Sequence, residues 1–416
     1  MEENNQLTES KENGLTRAFR ARWIVPISRP PIQDGIIIIN QDKILEVDQV
    51  ENIRREASET IDLGNAVIFP GFVNVHTHLE HVSQPTKPTD YYSYLRYIRD
   101  FNRDAESAAK IETAKQNIEA SHRFGTIALA DFSTDGASFE PLLASPLFAR
   151  IFYEITGFKD ADAMSIFRKY QNLIKEGVVN KRVTKHLAPS SPWALSQNLL
   201  KEIGICERHI AVHMNMTEDE NAFILGGSGK IKQFLLSIED FDYGWQAPGM
   251  NALKYFFNYH FYAKHNILVH MNYADEADIE ALKTFPAKVN ICICPRMSRD
   301  LNLGRPPVLM FQEKGVNVCL GTEGLSVVSD LDIRKEIAFC VEELGLSPET
   351  AIKCATLNGA YAIGFHKEVG SLETGKTAKC CVLEADGEKC NDPYELIAKS
   401  SKPVTWLDEI DMEAKA

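Results

Sequence analysis

The sequence predicts an α/β fold: a (β/α)8 barrel of the TIM type beside a small β-sandwich built from the N- and C-terminal segments. Three observations predict it. Between about residues 70 and 365, short apolar runs alternate with helical stretches, a rhythm that folds as parallel strands covered by helices. On either side of that span the chain shows short alternating stretches punctuated by turn residues, the pattern of β-hairpins. The 416 residues suffice for one large barrel with an appendage.

Each element can be justified in chain order. Residues 1–14, acidic and polar in MEENNQLTES, are expected as a mobile tail and lack the character of a signal peptide. Residues 15–68 form the first part of the sandwich, through RARWIVPI, GIIIINQDKILEV and ETIDLGNAVIF. Residues 69–365 form the barrel. Its strands are expected in GTIALADF, FARIFYEITG, RHIAVHMN, NILVHMN, KVNICICP and VNVCLGTEG, and its helices in segments such as ESAAKIETAKQNIEASHRF and DEADIEALKTF. About eight such runs favour closure into an eight-stranded barrel. After the helical SPETAIKCATLNGAYAIGF, residues 366–410 return to β pattern in GSLETGKTAKCCVLEAD and complete the sandwich. The LGGSGK stretch, Leu225–Lys230, has Ile231 where a phosphate loop needs Ser or Thr, so it reads as a glycine-rich loop after a strand.

Composition narrows the function. A net charge of −13 argues against nucleic acid or anionic membrane as partner, because both attract basic patches. No apolar run reaches the length of a membrane span. The nine cysteines are odd in number, contain no CxxC pair and sit mostly in apolar runs, which suits a reducing cytoplasm. The expected partner is a small-molecule substrate.

The informative stretch is AVIFPGFVNVHTHLEHV, Ala66–Val82. His76 and His78 are two apart at the end of an apolar run, so on a strand their imidazoles share a face. At the C-terminal mouth of a barrel they make half a site for zinc or a similar borderline metal. An isolated HxH more often just ends a strand, and His81 falls outside the strand register. HExxH, HxxEH and PCxxC are all absent. Recurrence tips the balance: His213, His270 and Glu323 close further apolar runs. Five potential ligands or acid–base groups then stand at the ends of four strands. His122, His186, His209, His260, His265 and His366 lack this placement and read as structural.

With those residues in hand, the chain resembles the amidohydrolase superfamily, in its cyclic-amidine deaminase and chlorohydrolase branch. The motifs are PGFVNVHTHLE, HMNMTEDE, VHMNYADEADIEAL, CPRMSRDLNLGRPPV, GVNVCLGTEGLSVVSDLD, ATLNGAYAIGF and GSLETGK. The HTHLE form is closest to members that deaminate 6-amino-6-deoxyfutalosine, an adenosine-like compound. The resemblance implies one divalent metal, zinc first with iron or manganese as alternatives, bound by His76, His78, His213 and Glu323. It implies His270 and Glu323 as catalytic, the first hydrogen-bonding the attacking water and the second taking its proton. Glu80, Ser190, Met216 and Arg296 stand at substrate-binding positions, and a homodimer is implied.

Three positions depart from the branch. Glu323 stands where Asp is usual, Met216 where a proton-delivering Glu is usual, and Ser190 where a substrate-contacting His is usual; Met297 and Ser298 also replace Ser-Asn after Arg296. The expected function is hydrolysis of C–N bonds other than peptide bonds, by deamination of an aminated purine nucleoside or related heterocycle such as aminodeoxyfutalosine. The alternative is a catalytically degenerate relative that binds metal or ligand without deaminating.

Overall fold

The computed structural model describes residues 15–83, 86–259, 263, 265–285, 288–385 and 390–410. The expected tail and His260 lie outside the described residues. Strands β1 (Thr16–Ile24), β2 (Ile32–Asn40) and β3 (Lys43–Gln49) form an antiparallel meander with a register shift between Ile38 and Ile39. On the other edge of β1, β4 (Glu59–Asp62) and β5 (Ala66–Pro70) pair parallel to it in succession.

Gly71 then carries the chain into the barrel. A Cβ there would lie 2.8 Å from Ile127 Cγ2 and 2.9 Å from Trp406, so only glycine fits the crossing.

The barrel strands follow: β6 (Phe72–His78), β7 (Thr126–Ser133), β8 (Phe148–Ile155), β9 (Val183–Pro189), β10 (His209–Met214), β11 (His265–His270), β12 (Val289–Ile293), β13 (Asn317–Leu320) and the short β14 (Glu323–Gly324). They form two parallel sheets, β14-β6-β7-β8-β9 and β10-β11-β12-β13. At one junction the His213 N–H donates to the Ser190 carbonyl at 2.9 Å. At the other the Thr322 N–H donates to the His76 carbonyl at 2.9 Å. With β13 and β14 as two pieces of the eighth strand, the ring has eight parallel members. All eight residues of β7 are buried, as expected of a strand covered on both faces. The helix Ser107–Arg123 covers it with a stripe at Ala114, Asn117, Ile118 and Ser121, the i, i+3, i+4, i+7 spacing of one helix face.

β15 (Cys380–Glu384) and β16 (Thr405–Trp406) return to the small unit, where β15 pairs antiparallel with both β5 and β16. The two ends of the chain are thus hydrogen-bonded as one branched seven-stranded sheet. Its apolar cluster includes Phe19, Ile37, Ile39, Ile68, Cys380 and Leu407.

Two local expectations need correction. LGGSGK does not follow a strand: it joins the helices Glu218–Gly226 and Lys230–Ser237, with Gly227 at φ 66° as the left-handed helix cap. A helix that the strand–helix rhythm did not require, α1 (Tyr91–Asp104), follows β6. His209 and His265 open their strands and stack at 4.8 Å, with His186 at 4.8 Å from His209, away from the C-terminal mouth. No helix among the described residues is long and apolar enough to cross a membrane.

Candidate active site

His76 and His78 leave the same face of β6, His213 leaves β10, and Glu323 begins β14. One ligand atom from each lies within 4.8 Å of all the others, and all four residues are buried. The His213 Nδ1–H donates to the Ser190 carbonyl at 2.8 Å, because a carbonyl can only accept. In the neutral ring Nε2 is therefore bare, and it faces His76 Nε2 at 3.4 Å. The His76 Nε2–H donates to Glu323 Oε2 at 2.8 Å. His78 Nε2 lies 3.1 Å from Glu323 Oε1 yet makes no aligned hydrogen bond. Three imidazoles and a carboxylate, with a buried ring nitrogen left without a partner, fit a zinc-type ion. His270 ends β11 with both ring nitrogens unpartnered and Nε2 3.9 Å from Glu323 Oε2.

The backbone around these groups is specialised. Asn74 donates through Nδ2 to Thr322 Oγ1 at 2.8 Å and accepts the Thr322 N–H at 3.1 Å, which ties the first barrel strand to the eighth just before Glu323. At Gly321 a Cβ would lie 2.6 Å from His76 Cβ, and at Gly324 one would lie 2.8 Å from His81 Nδ1, so both glycines permit the close approach of the two strands. His270 (φ 80°) and Glu323 (φ 66°) both occupy the left-handed region. Such residues cost about 1–3 kcal/mol each and persist where surrounding structure holds them. His81 is buried behind the pair, stacked on His78 at 4.5 Å and 3.2 Å from Ser326 Oγ.

Electrostatics pull the rings apart. Burial works against charge on His78, but the Glu323 carboxylate outweighs it and carries the ring to about 9. Burial takes His76 down to about 4 and holds His270 well below the ordinary imidazole value. Burial alone would raise Glu323, but the charges of His76 and His78 hold it well below the usual carboxylate range.

A cavity of about 440 Å³ opens onto this cluster, and its wall includes His78, His213 and Glu323. Ser190 and Met216 stand on the same wall. The Ser190 hydroxyl donates to Glu154 Oε1 at 2.6 Å, and that carboxylate lies 3.6 Å from His213 Nδ1. Two other expected substrate residues stand elsewhere. Glu80 follows the end of β6 in a turn, where its carboxylate accepts from Ser133 Oγ at 2.7 Å and from the Thr134 N–H at 3.1 Å. Burial, then Asp135 and Asp131, push its carboxyl up to about 7. Arg296 is turned away from the cavity. Its Nε donates to Glu336 Oε1 at 2.5 Å and its Nη1 to Asp330 Oδ1 at 3.1 Å.

Two contributors went unread in the sequence. Glu154 closes the run FARIFYEITG just as the histidines close theirs, and it lines the cavity. α1 lines it with Tyr91, Tyr94, Leu95, Ile98, Arg99 and Asn102, a stripe at i, i+3, i+4, i+7, i+8 and i+11 that YYSYLRYIRDFN already displays. Asp90 starts this helix by accepting the N–H groups of Tyr92 and Ser93 in a capping box.

The turn that presents Met216 hangs on Glu220. That buried carboxyl accepts the N–H groups of Asn215, Met216 and Thr217 at 3.0, 2.8 and 3.3 Å. Burial nevertheless pushes it up to about 8, against the pull of those three bonds. A carboxyl raised on folding gives stability that is complete below its ordinary value of 4.5 and is lost as pH rises through about 8. The urea midpoint is therefore expected to fall across that window, and the fall to be shallower in Glu220→Gln. Equal slopes in the two proteins would refute the assignment.

The amidohydrolase family profile matches residues 67–406. A 5-methylthioadenosine/S-adenosylhomocysteine deaminase of Saccharophagus degradans is 26% identical over 404 residues, covering 88% of this chain and 82% of that protein. Among solved structures, an aminofutalosine deaminase of Helicobacter pylori in complex with methylthio-coformycin aligns with a TM-score of 0.80 at 17% identity, over 93% of this chain and 97% of that one. An adenosine deaminase of Xanthomonas campestris with bound zinc aligns with a TM-score of 0.78 at 20% identity, over 93% and 89%. At such identities what these two structures show is the fold.

Proposed function

From a chain that belongs to the amidohydrolase family, we propose a metal-dependent hydrolase of C–N bonds other than peptide bonds, one that deaminates an aminated purine nucleoside or a related heterocycle such as aminodeoxyfutalosine. The observation that carries this reading is the convergence of His76, His78, His213 and Glu323 beside a nucleoside-sized cavity whose wall includes the last three. The deaminase named among its relatives and the ligand-bound deaminase sharing its fold support the substrate class.

Those four residues would hold one divalent ion, with zinc preferred on the donor set and on the zinc in the Xanthomonas protein. When bound, such an ion supplies Lewis acidity and brings the pKa of water to about 7. Glu323 accepts the proton of the water that attacks the amidine carbon. His270 holds the attacking oxygen through a ring nitrogen. A C–O bond forms, the bond to the exocyclic nitrogen breaks, and ammonia leaves with the proton. Tyr91, Trp193 and Phe234 offer apolar faces to the planar ring. Glu154 offers a carboxyl to its polar edge, where the Met216 thioether can neither give nor take a proton. We place the reaction in a reducing cytoplasm, a setting supported by nine cysteines that are all free thiols.

Met216 on the cavity wall favours a second reading, a relative that holds the metal without deaminating. Metal analysis together with ammonia release from 5′-methylthioadenosine, S-adenosylhomocysteine and aminodeoxyfutalosine separates the two. Deamination predicts stoichiometric metal and ammonia from at least one compound. Stoichiometric metal with no ammonia supports the second reading, and protein purified without metal overturns both.

A further inference from the structure

We infer that Tyr94 is a positioning residue for Glu323, the contact that lets a glutamate work where the branch otherwise uses the shorter aspartate. This rests on Glu323 being a metal ligand, as proposed above. The Tyr94 hydroxyl donates to Glu323 Oε1 at 2.9 Å, while Oε2 takes the His76 Nε2–H at 2.8 Å. The two oxygens are thus held from opposite sides. Glutamate has one more rotatable bond than aspartate, and a ligand with a freely turning last bond pays for that freedom each time it binds an ion. Tyr94 removes the freedom. The accepting oxygen, Oε1, has a second lone pair and lies 3.1 Å from His78 Nε2, so the hydroxyl need not compete with ligation.

Tyr94 is itself fixed. It is 6% exposed and sits one turn into α1 on the cavity-facing stripe, with Tyr91 buried beside it. On the other side of α1, the Tyr92 hydroxyl donates to Asp219 Oδ2 at 2.8 Å, anchoring the helix to the segment that follows β10. Ahead of the helix, Lys87 Nζ donates to the Val327 carbonyl at 2.8 Å, tying the same segment to the loop after β14. The hydroxyl therefore comes from a helix clamped to the elements that carry His213 and Glu323. Groups that orient metal ligands in this way are worth about 10- to 100-fold in metal affinity.

The test is a double-mutant cycle on zinc affinity, read by competition with a chromophoric chelator for wild type, Tyr94→Phe, Glu323→Asp and the double variant. Tyr94→Phe is expected to weaken zinc about tenfold in wild type and less than about twofold in the Glu323→Asp background, where the shorter carboxylate no longer reaches the hydroxyl. The metal-free thermal midpoint should fall on Tyr94→Phe in wild type, which loses a buried hydrogen bond, and change less in the Glu323→Asp background. Equal weakening in both backgrounds overturns the inference, as does no weakening in wild type. So does a fall in the metal-free midpoint on Tyr94→Phe that is as large in the Glu323→Asp background as in wild type, because the hydroxyl would then act on something other than the Glu323 carboxylate. A wild type that holds no zinc removes the ligand assignment and the proposed function together. A wild type that binds zinc but deaminates nothing leaves the cycle intact and overturns only the substrate reading.

Discussion

Glu323→Gln is expected to abolish turnover, lowering kcat about 10³- to 10⁴-fold while the barrel stays folded. The side chain keeps its size and its contact with Tyr94, so packing is preserved. The carboxylate 3.1 Å from His78 Nε2 becomes an amide, and the proposed base for the attacking water is lost with it. Metal affinity should fall alongside the rate, since an amide is a poor ligand beside three imidazoles. Glu80→Gln serves as the control. It too alters a carboxyl buried near β6, but one held by Ser133 and Thr134 outside the ligand cluster, and its effect on the rate should stay within about threefold. The measurement is ammonia release together with metal content. A Glu323→Gln protein that keeps a full equivalent of metal and more than about a tenth of the parent rate would remove Glu323 from both roles.

The largest effect on stability is expected at Arg296. Arg296→Met leaves Glu336, fully buried, without the guanidinium that neutralises it, and Asp330 without one of its partners. Removing one member of a buried ion pair costs about 3–5 kcal/mol, whereas replacing both by apolar groups is often nearly neutral. Urea unfolding should therefore show a loss of that size in Arg296→Met and recovery of most of it in Arg296→Met/Glu336→Leu. Turnover per folded, metal-loaded molecule should change by less than about twofold in either. A loss below about 1 kcal/mol, accompanied by a raised KM, would return Arg296 to the substrate.

The barrel and the meeting of His76, His78, His213 and Glu323 were legible because strand ends are a local property. An apolar run that stops in His or Glu shows where the side chain will stand, and the period of two shows that His76 and His78 share a face. That rule ends with the strand. β6 stops at His78, and Glu80, although in phase, turns away into hydrogen bonds with Ser133 and Thr134. The surroundings of Arg296 could not be read because its partners lie 34 and 40 residues along the chain, in a segment whose position no periodicity reports. α1 was written in its i, i+3, i+4 stripe. A stripe facing a cavity and a stripe facing a core look the same in sequence, so Tyr94 could not be told from an ordinary core aromatic.

The separation between His76 and Glu323 bears on how the molecule is made. They are 247 residues apart, and the ribosome delivers them in that order. While the chain is growing, His76 and His78 exist as paired imidazoles with no carboxylate opposite them. The set is completed only when the eighth strand has emerged and seated its Thr322 N–H on the His76 carbonyl. The complete set of four is thus among the last things the fold makes, so an ion held by all four would mark a closed barrel.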